Sequence, residues 1–90
     1  MKFHEAVPHA LRAGRDAYHA DPRRLTPPAM LPAELLNTPT TETRLEALHG
    51  VMREGWWIAR YAALREERDA LRSELDRAVD RRERWLRMVS

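Results

Sequence analysis

The fold is decided by residues 38–90, TPTTETRLEALHGVMREGWWIARYAALREERDALRSELDRAVDRRERWLRMVS. This stretch has no proline after Pro39, and apolar side chains recur in its first half at intervals of three and four residues. That spacing is typical of one face of an α-helix, and the face comprises Leu45, Leu48, Met52, Trp56, Ala59 and Ala63. The sequence therefore predicts one long helix over residues 39–89, about fifty residues and roughly 75 Å long at 1.5 Å per residue.

The start of this helix carries two overlapping signals. Thr38 can cap a helix whose first residue is Pro39, because proline is tolerated where the backbone N–H has no helical partner. Thr43 and Glu46 have the spacing of a capping box. Both signals place the start between residues 38 and 43.

Gly50 and Gly55 are the weakest positions inside the predicted helix, since glycine costs up to about 1 kcal/mol relative to alanine there. A helical hairpin that turns at either glycine is the main alternative. The apolar face keeps its phase across both glycines, which favours a continuous helix. In a continuous helix, alanine at both positions is expected to be stabilising.

In residues 64–89 apolar residues recur every seven positions instead, at Leu64, Leu71, Ala78 and Trp85. The second row of the repeat, four residues after each of these, is imperfect, because Leu75 and Val89 alternate with Arg68 and Arg82. Apolar residues spaced by seven are typical of a coiled-coil core, and the rest of the chain is too short to cover so long a face. We therefore expect self-association, with a homodimer favoured and its orientation open, through Leu64, Leu71, Leu75, Ala78 and Trp85.

A short helix is predicted within residues 1–20. The spacing favours a start near Val7, with Pro8 at the first helical position, and an end at Ala20. A start near Phe3 with a kink at Pro8 is the alternative.

Residues 21–38 are predicted to be a connector, because five of the six prolines lie between positions 22 and 39 and proline disfavours helical geometry. We expect a single helical turn from Pro32 to Leu36. The connector and the first helix should fold back on the early part of the long helix, around Leu45 to Trp56. That packing should bury the apolar side chains of the connector, namely Leu25, Met30, Leu31, Leu35 and Leu36.

Chain length, apolar spacing and proline placement together predict one small all-α domain over residues 1–90. It comprises a short N-terminal helix, a proline-rich connector and a long C-terminal helix with coiled-coil character. The chain of 90 residues has 43% hydrophobic and 33% charged residues and a net charge of +2. No apolar run approaches the roughly eighteen residues that cross a bilayer, and no signal peptide is evident. The absence of cysteine excludes disulfides and thiolate sites and is compatible with a cytoplasmic protein.

Catalytic chemistry finds little support in the sequence. His4, His9, His19 and His49 lack the i, i+4 spacing of a helical metal site. No glycine-rich phosphate loop and no pairing of a nucleophile with a base is visible. We predict a non-enzymatic protein with no cofactor and no metal site.

Trp56, Trp57 and Tyr61 form the most distinctive cluster, and it has two interpretations. In the first, Trp56 is core beneath the proline-rich segment, and Trp57 and Tyr61 belong to a self-association seam. In the second, the cluster anchors another protein, since tryptophan, tyrosine and arginine dominate binding hot spots. The predicted partner-binding residues are Arg53, Trp57, Arg60, Tyr61 and Arg65.

The leading hypothesis is an adaptor, an assembly factor or an inhibitor of a partner protein, comparable to small phage and bacterial accessory proteins. The alternative is a dimeric DNA-associated transcriptional regulator. It would use a local excess of cations near the C-terminus, for which the candidate contacts are Arg81, Arg82, Arg84 and Arg87. Neighbouring acidic residues dilute this charge, and cations also stabilise the C-terminal end of any helix.

Overall fold

The computed structural model describes residues 2–89, so Met1 and Ser90 at the ends of the predicted domain lie outside it. This part of the chain contains three helices and no strand: α1, Phe3–Ala20; α2, Ala33–Leu36; and α3, Glu42–Val89. The predicted all-α class, with a short N-terminal helix and a long C-terminal helix, is confirmed.

Helix α3 runs unbroken for 48 residues, so the hairpin alternative at Gly50 or Gly55 is wrong. Its start differs from both predictions. Thr41 caps the helix, because its Oγ1 accepts a hydrogen bond from the backbone N–H of Arg44 at 3.3 Å, the usual role of an N-cap threonine. Thr38 instead closes the end of α2, where its backbone N–H donates to the carbonyl of Leu35 at 3.2 Å.

Helix α1 begins at Phe3 rather than at Val7, so the favoured start is wrong and the alternative start is confirmed. The Glu5 carboxylate accepts a hydrogen bond from the backbone N–H of Lys2 at 3.2 Å, and an acidic side chain in the first turn also suits the helix dipole. Pro8 lies inside the helix with its ring exposed. The cost of one missing backbone hydrogen bond there is offset by the packing of the preceding turn.

Helix α1 lies parallel to the first half of α3. At one end the Arg44 guanidinium lies 5.1 Å from the centre of the Phe3 ring, and at the other Tyr18 packs edge-on against Trp56 at 5.8 Å. Two clusters fill the space between the helices: Ala6, Ala10, Leu31, Leu35, Leu48 and Met52 in one, and Tyr18, Trp56 and Ala59 in the other.

The two helices cross at very short range. A Cβ added at Gly14 would overlap the carbonyl oxygen of Met52, and one added at Gly55 would overlap the carbonyl oxygen of Leu11. Both glycines are buried. Glycine is therefore required at this crossing because it permits backbone-to-backbone contact.

The connector returns along α3 and is only partly buried. Leu31 and Leu35 enter the core, and the helical turn predicted between Pro32 and Leu36 is present as α2. Leu25, Met30 and Leu36 are exposed, contrary to the expectation that the whole apolar set is buried. Polar contacts hold this part of the connector instead, and one of them joins a guanidinium N–H of Arg60 to the carbonyl of Leu25 at 3.0 Å.

The molecule consists of a packed part and a projecting rod. We call residues 2–63 the head and residues 64–89 the distal helix. The extents are 74 × 21 × 17 Å and the radius of gyration is 21.2 Å, whereas a compact chain of this length would have about 12 Å. The difference arises because no other described element packs along the distal helix.

Candidate interaction surface

Trp56 belongs to the core of the head. Its ring is 0% exposed and packs against Tyr18 of α1, so the element covering it is α1 rather than the proline-rich segment that the first interpretation named. Within residues 2–89 the indole N–H of Trp56 has no hydrogen-bond acceptor. The ring therefore stabilises the head by packing alone.

Trp57 and Tyr61 form an open aromatic surface one helical turn long, which we call the aromatic patch. Trp57 is 40% exposed and Tyr61 is 66% exposed, and their ring centres lie 6.2 Å apart. Trp57 rests edge-on against the buried Trp56 at 4.8 Å. A buried ring thus supports an exposed one, which holds the patch in a fixed orientation.

The three arginines predicted to flank the patch differ in their surroundings. Arg60 is half-buried, lies 5.5 Å from the centres of both tryptophan rings and donates to the Leu25 carbonyl. It therefore acts mainly within the head, where it ties the connector to α3. Arg53 and Arg65 are exposed and remain candidates for contact with a partner.

The distal helix is exposed at every described position. Leu71 is 58% exposed and Trp85 is 59% exposed, although both are large apolar side chains. The full set predicted for self-association shares this exposure: Leu64, Leu71, Leu75, Ala78 and Trp85.

The aromatic patch and this row form one continuous line along α3. Trp57 precedes Leu64 by seven residues, and Tyr61 precedes Arg68 by seven. At 100° per residue these positions lie roughly 120–180° around the α3 axis from Met52, which faces α1. We call the line the seam; its members are Trp57, Tyr61, Leu64, Arg68, Leu71, Leu75, Ala78, Arg82, Trp85 and Val89.

The seam explains why the apolar pattern shifts phase near residue 60. Up to Ala63 the pattern follows the face that packs on α1. A second pattern with a seven-residue spacing starts on the opposite side at Trp57 and shifts around the helix by about 20° per heptad. The seven-residue spacing from Trp57 was the sequence signal that could have revealed this continuity. The same spacing marks Val79 and Leu86, exposed beside the seam and absent from the predicted set.

Three of the four arginines near the C-terminus share one side of the helix. Arg81, Arg84 and Arg87 follow one another at intervals of three, so at 100° per residue they fall within about 120°, and Arg82 lies outside this arc. Asp80 falls within the same arc, and Arg87 lies 3.9 Å from Glu83, so acidic side chains dilute the local charge. DNA contact through Arg81, Arg82, Arg84 and Arg87 stays a prediction.

Metal-ligating side chains do not cluster in the described part of the chain. In residues 2–89 no three histidine, cysteine or acidic side chains come close enough together to hold a metal ion. None of the helices there combines the length and apolar content needed to cross a bilayer.

Comparisons of the chain with protein-family models, with curated proteins and with solved structures found no match.

Proposed function

We propose that this chain is a non-enzymatic interaction protein that acts through the outward side of α3. The observation that carries the proposal is the seam, which begins at Trp57 and Tyr61 on the side of the helix away from α1 and continues at heptad spacing to Val89. Apart from Arg68 and Arg82 its members are apolar or aromatic, and large exposed apolar surfaces usually mark binding sites.

The energetics support association. Burial of a large apolar side chain contributes roughly 1.5–3 kcal/mol. Leu64, Leu71, Leu75, Trp85 and Val89 are between 46% and 64% exposed, so a helix laid along the seam would remove several such side chains from water. The distal helix contributes no residue to the two core clusters of the head, so its apolar side chains do not stabilise the head.

The two ends of the seam suit different partners. The distal part has the heptad spacing of a helix-pairing surface and is the candidate for self-association. The aromatic patch, with Arg53 and Arg65 nearby, has the residue types of a hot spot for another protein. An adaptor, an assembly factor or an inhibitor would use the patch in this way.

Affinity capture from the native host tests the patch directly. Three baits are compared: the natural chain, the double variant Trp57→Ala with Tyr61→Ala, and Met30→Ala as a matched control. Met30 is also an exposed large apolar residue, but it lies on the connector and not on α3. Proteins captured by the natural chain and the control should be lost with the double variant.

The outcome against the proposal is a capture profile identical for all three baits. Circular dichroism of each bait must accompany the experiment. Loss of helicity in the double variant would place the two rings in the core and would equally contradict a binding role.

A further inference from the structure

The charge pattern beside the seam singles out one way for two copies to pair. We propose that the distal helix binds the distal helix of a second copy in antiparallel orientation, with Leu64 facing the partner's Val89. The inference deepens the proposed function and rests on it, because it names the second copy as the occupant of the distal seam.

The seam and its flanks define the positions that would meet. In a two-stranded coiled coil the core rows are bordered by two flanking rows that carry the interhelical charge pairs. One flank holds Arg65, Arg72, Val79 and Leu86, and the other holds Glu67, Glu74, Arg81 and Met88. All eight side chains are exposed in the single chain.

A parallel pair is disfavoured by the core itself. It would place Arg68 against the partner's Arg68 and Arg82 against the partner's Arg82. Each such contact brings two like charges together where the seam excludes water, which is costly. It would also oppose Ala78 with the partner's Ala78 and leave the centre of the rod poorly filled.

The antiparallel arrangement removes these clashes. With Leu64 facing the partner's Val89, Leu75 meets the partner's Ala78, so that a large side chain faces a small one. Arg68 meets the partner's Trp85, an arrangement suited to a cation–π contact. The exposed ion pair of Arg68 with Asp69, 3.2 Å in the single chain, would have to loosen, at little cost for a surface pair.

The flanks select this register among the antiparallel alternatives. In antiparallel coils each flanking row faces itself, so Glu74 pairs with the partner's Arg81 twice by symmetry, and Arg72 meets the partner's Val79. No like charges meet along either flank. Sliding by one heptad in one direction opposes Glu74 with the partner's Glu74, and sliding in the other opposes Arg81 with the partner's Arg81.

This register uses the distal helix fully and leaves the aromatic patch free. The overlap covers about 26 residues, or roughly 39 Å at 1.5 Å per residue, which is almost four heptads. The two distal helices overlap from Leu64 to Val89 in this register, and Trp57 and Tyr61 lie outside that overlap. The two patches would lie about 46 Å apart along the rod, and the dimer would bridge two partner molecules.

Charge reversal tests orientation and register together. Sedimentation equilibrium should show that Glu74→Arg and Arg81→Glu each weaken dimerisation about tenfold, since each replaces two attractive pairs by two repulsive ones. An equimolar mixture of the two variants should recover natural affinity as a heterodimer, and so should the double variant. Asp80→Arg, with the same charge change on the opposite side of the helix, should have no effect.

A parallel dimer would respond differently, because Glu74 and Arg81 would there face the partner's Val79 and Leu86. Unchanged dimerisation in both single variants, or no recovery in the mixture, would overturn the inference. A disulfide readout avoids dependence on affinity, because the chain has no cysteine. A tagged Leu64→Cys chain should form a disulfide with an untagged Val89→Cys chain, and neither variant should form a disulfide-linked homodimer. Disulfide-linked homodimers of each variant, with no link between the two variants, would mean a parallel pair.

These results separate the inference from the proposed function. If Glu74→Arg and Arg81→Glu dimerise as well as the natural chain while the aromatic-patch variant still loses its captured proteins, the register is wrong and the interaction role stands. If the charge variants behave as expected while capture is insensitive to the patch, the dimer stands and the binding role of the patch fails.

Discussion

The two glycines of α3 provide a sharp test of how the head is packed, because the same substitution should act in opposite directions. A Cβ at Gly50 meets nothing within 4 Å, so alanine there gains only helix propensity, about 0.5–1 kcal/mol. In a domain of this size each kcal/mol moves the melting temperature by roughly 4–8 °C. Gly50→Ala should therefore melt a few degrees higher than the natural protein.

Gly55→Ala gains the same propensity but creates a clash. Its Cβ would overlap the carbonyl oxygen of Leu11 and lie 3.0 Å from the carbonyl carbon. The obstacle is backbone, so α1 as a whole must move away from α3. Overpacking of this kind costs typically 1–3 kcal/mol, which outweighs the propensity gain. We expect a net loss of about 0.5–2 kcal/mol.

The assay is thermal and urea unfolding followed by circular dichroism at one fixed chain concentration, since dimerisation would make stability depend on concentration. Gly14→Ala is the companion variant, because its Cβ would lie 2.8 Å from the backbone nitrogen of Trp56. It should be destabilised like Gly55→Ala. Stabilisation by Gly55→Ala would refute the close crossing, and destabilisation by Gly50→Ala would indicate a break in α3 at that residue.

Three further outcomes follow from particular contacts. Trp56→Ala should lower the free energy of unfolding by about 3–5 kcal/mol as a core truncation. Trp57→Ala should lower it by no more than about 1–2 kcal/mol, because only the contacts of an exposed ring are lost. Equal losses in urea titrations would contradict the assignment of the two rings. Thr41→Ala should lower stability by about 1 kcal/mol through loss of the cap, and Thr43→Ala, its control, much less; the reverse order would place the helix start later. If the C-terminal arginines bind DNA, the affinity should fall steeply with salt, and no binding at low salt would remove that alternative.

Periodicity was sufficient to predict the helical class and the continuity of α3, because a single apolar face spans residues 45–63 across both glycines. It also identified the exposed heptad row. Helix starts were less predictable, since several threonines near residue 40 can each act as a cap and their spacing alone does not single out Thr41, the one that caps α3. Pro8 suggested a late start for α1, yet the packing of Ala6 against α3 outweighs one lost hydrogen bond.

The close crossing of α1 and α3 could not be derived from spacing alone. Ala6, Ala10 and Gly14 recur every four residues, which indicates a narrow face, but the sequence does not state which part of α3 meets it. The exposure of Leu25 and Met30 was missed for a related reason. The connector is held by polar contacts to α3, and such contacts leave no periodic signature.

The division of the aromatic cluster was the least accessible feature. Adjacent tryptophans lie 100° apart on a helix, so one can be core and the next can be surface. Which is which depends on the position of α1. Once α1 is placed, Trp57 joins the heptad row and the seam becomes evident.

The most direct test of the account is sedimentation equilibrium of the natural chain at about 100 µM, where a micromolar dissociation constant leaves mostly dimer. The natural chain and the control variant Ile58→Gln should sediment at twice the chain mass of 10.6 kDa, and the double variant Leu71→Gln with Leu75→Gln should sediment as a helical monomer. A natural chain that stays monomeric at this concentration, or a double variant that stays dimeric, would contradict the claim that the distal helix mediates self-association.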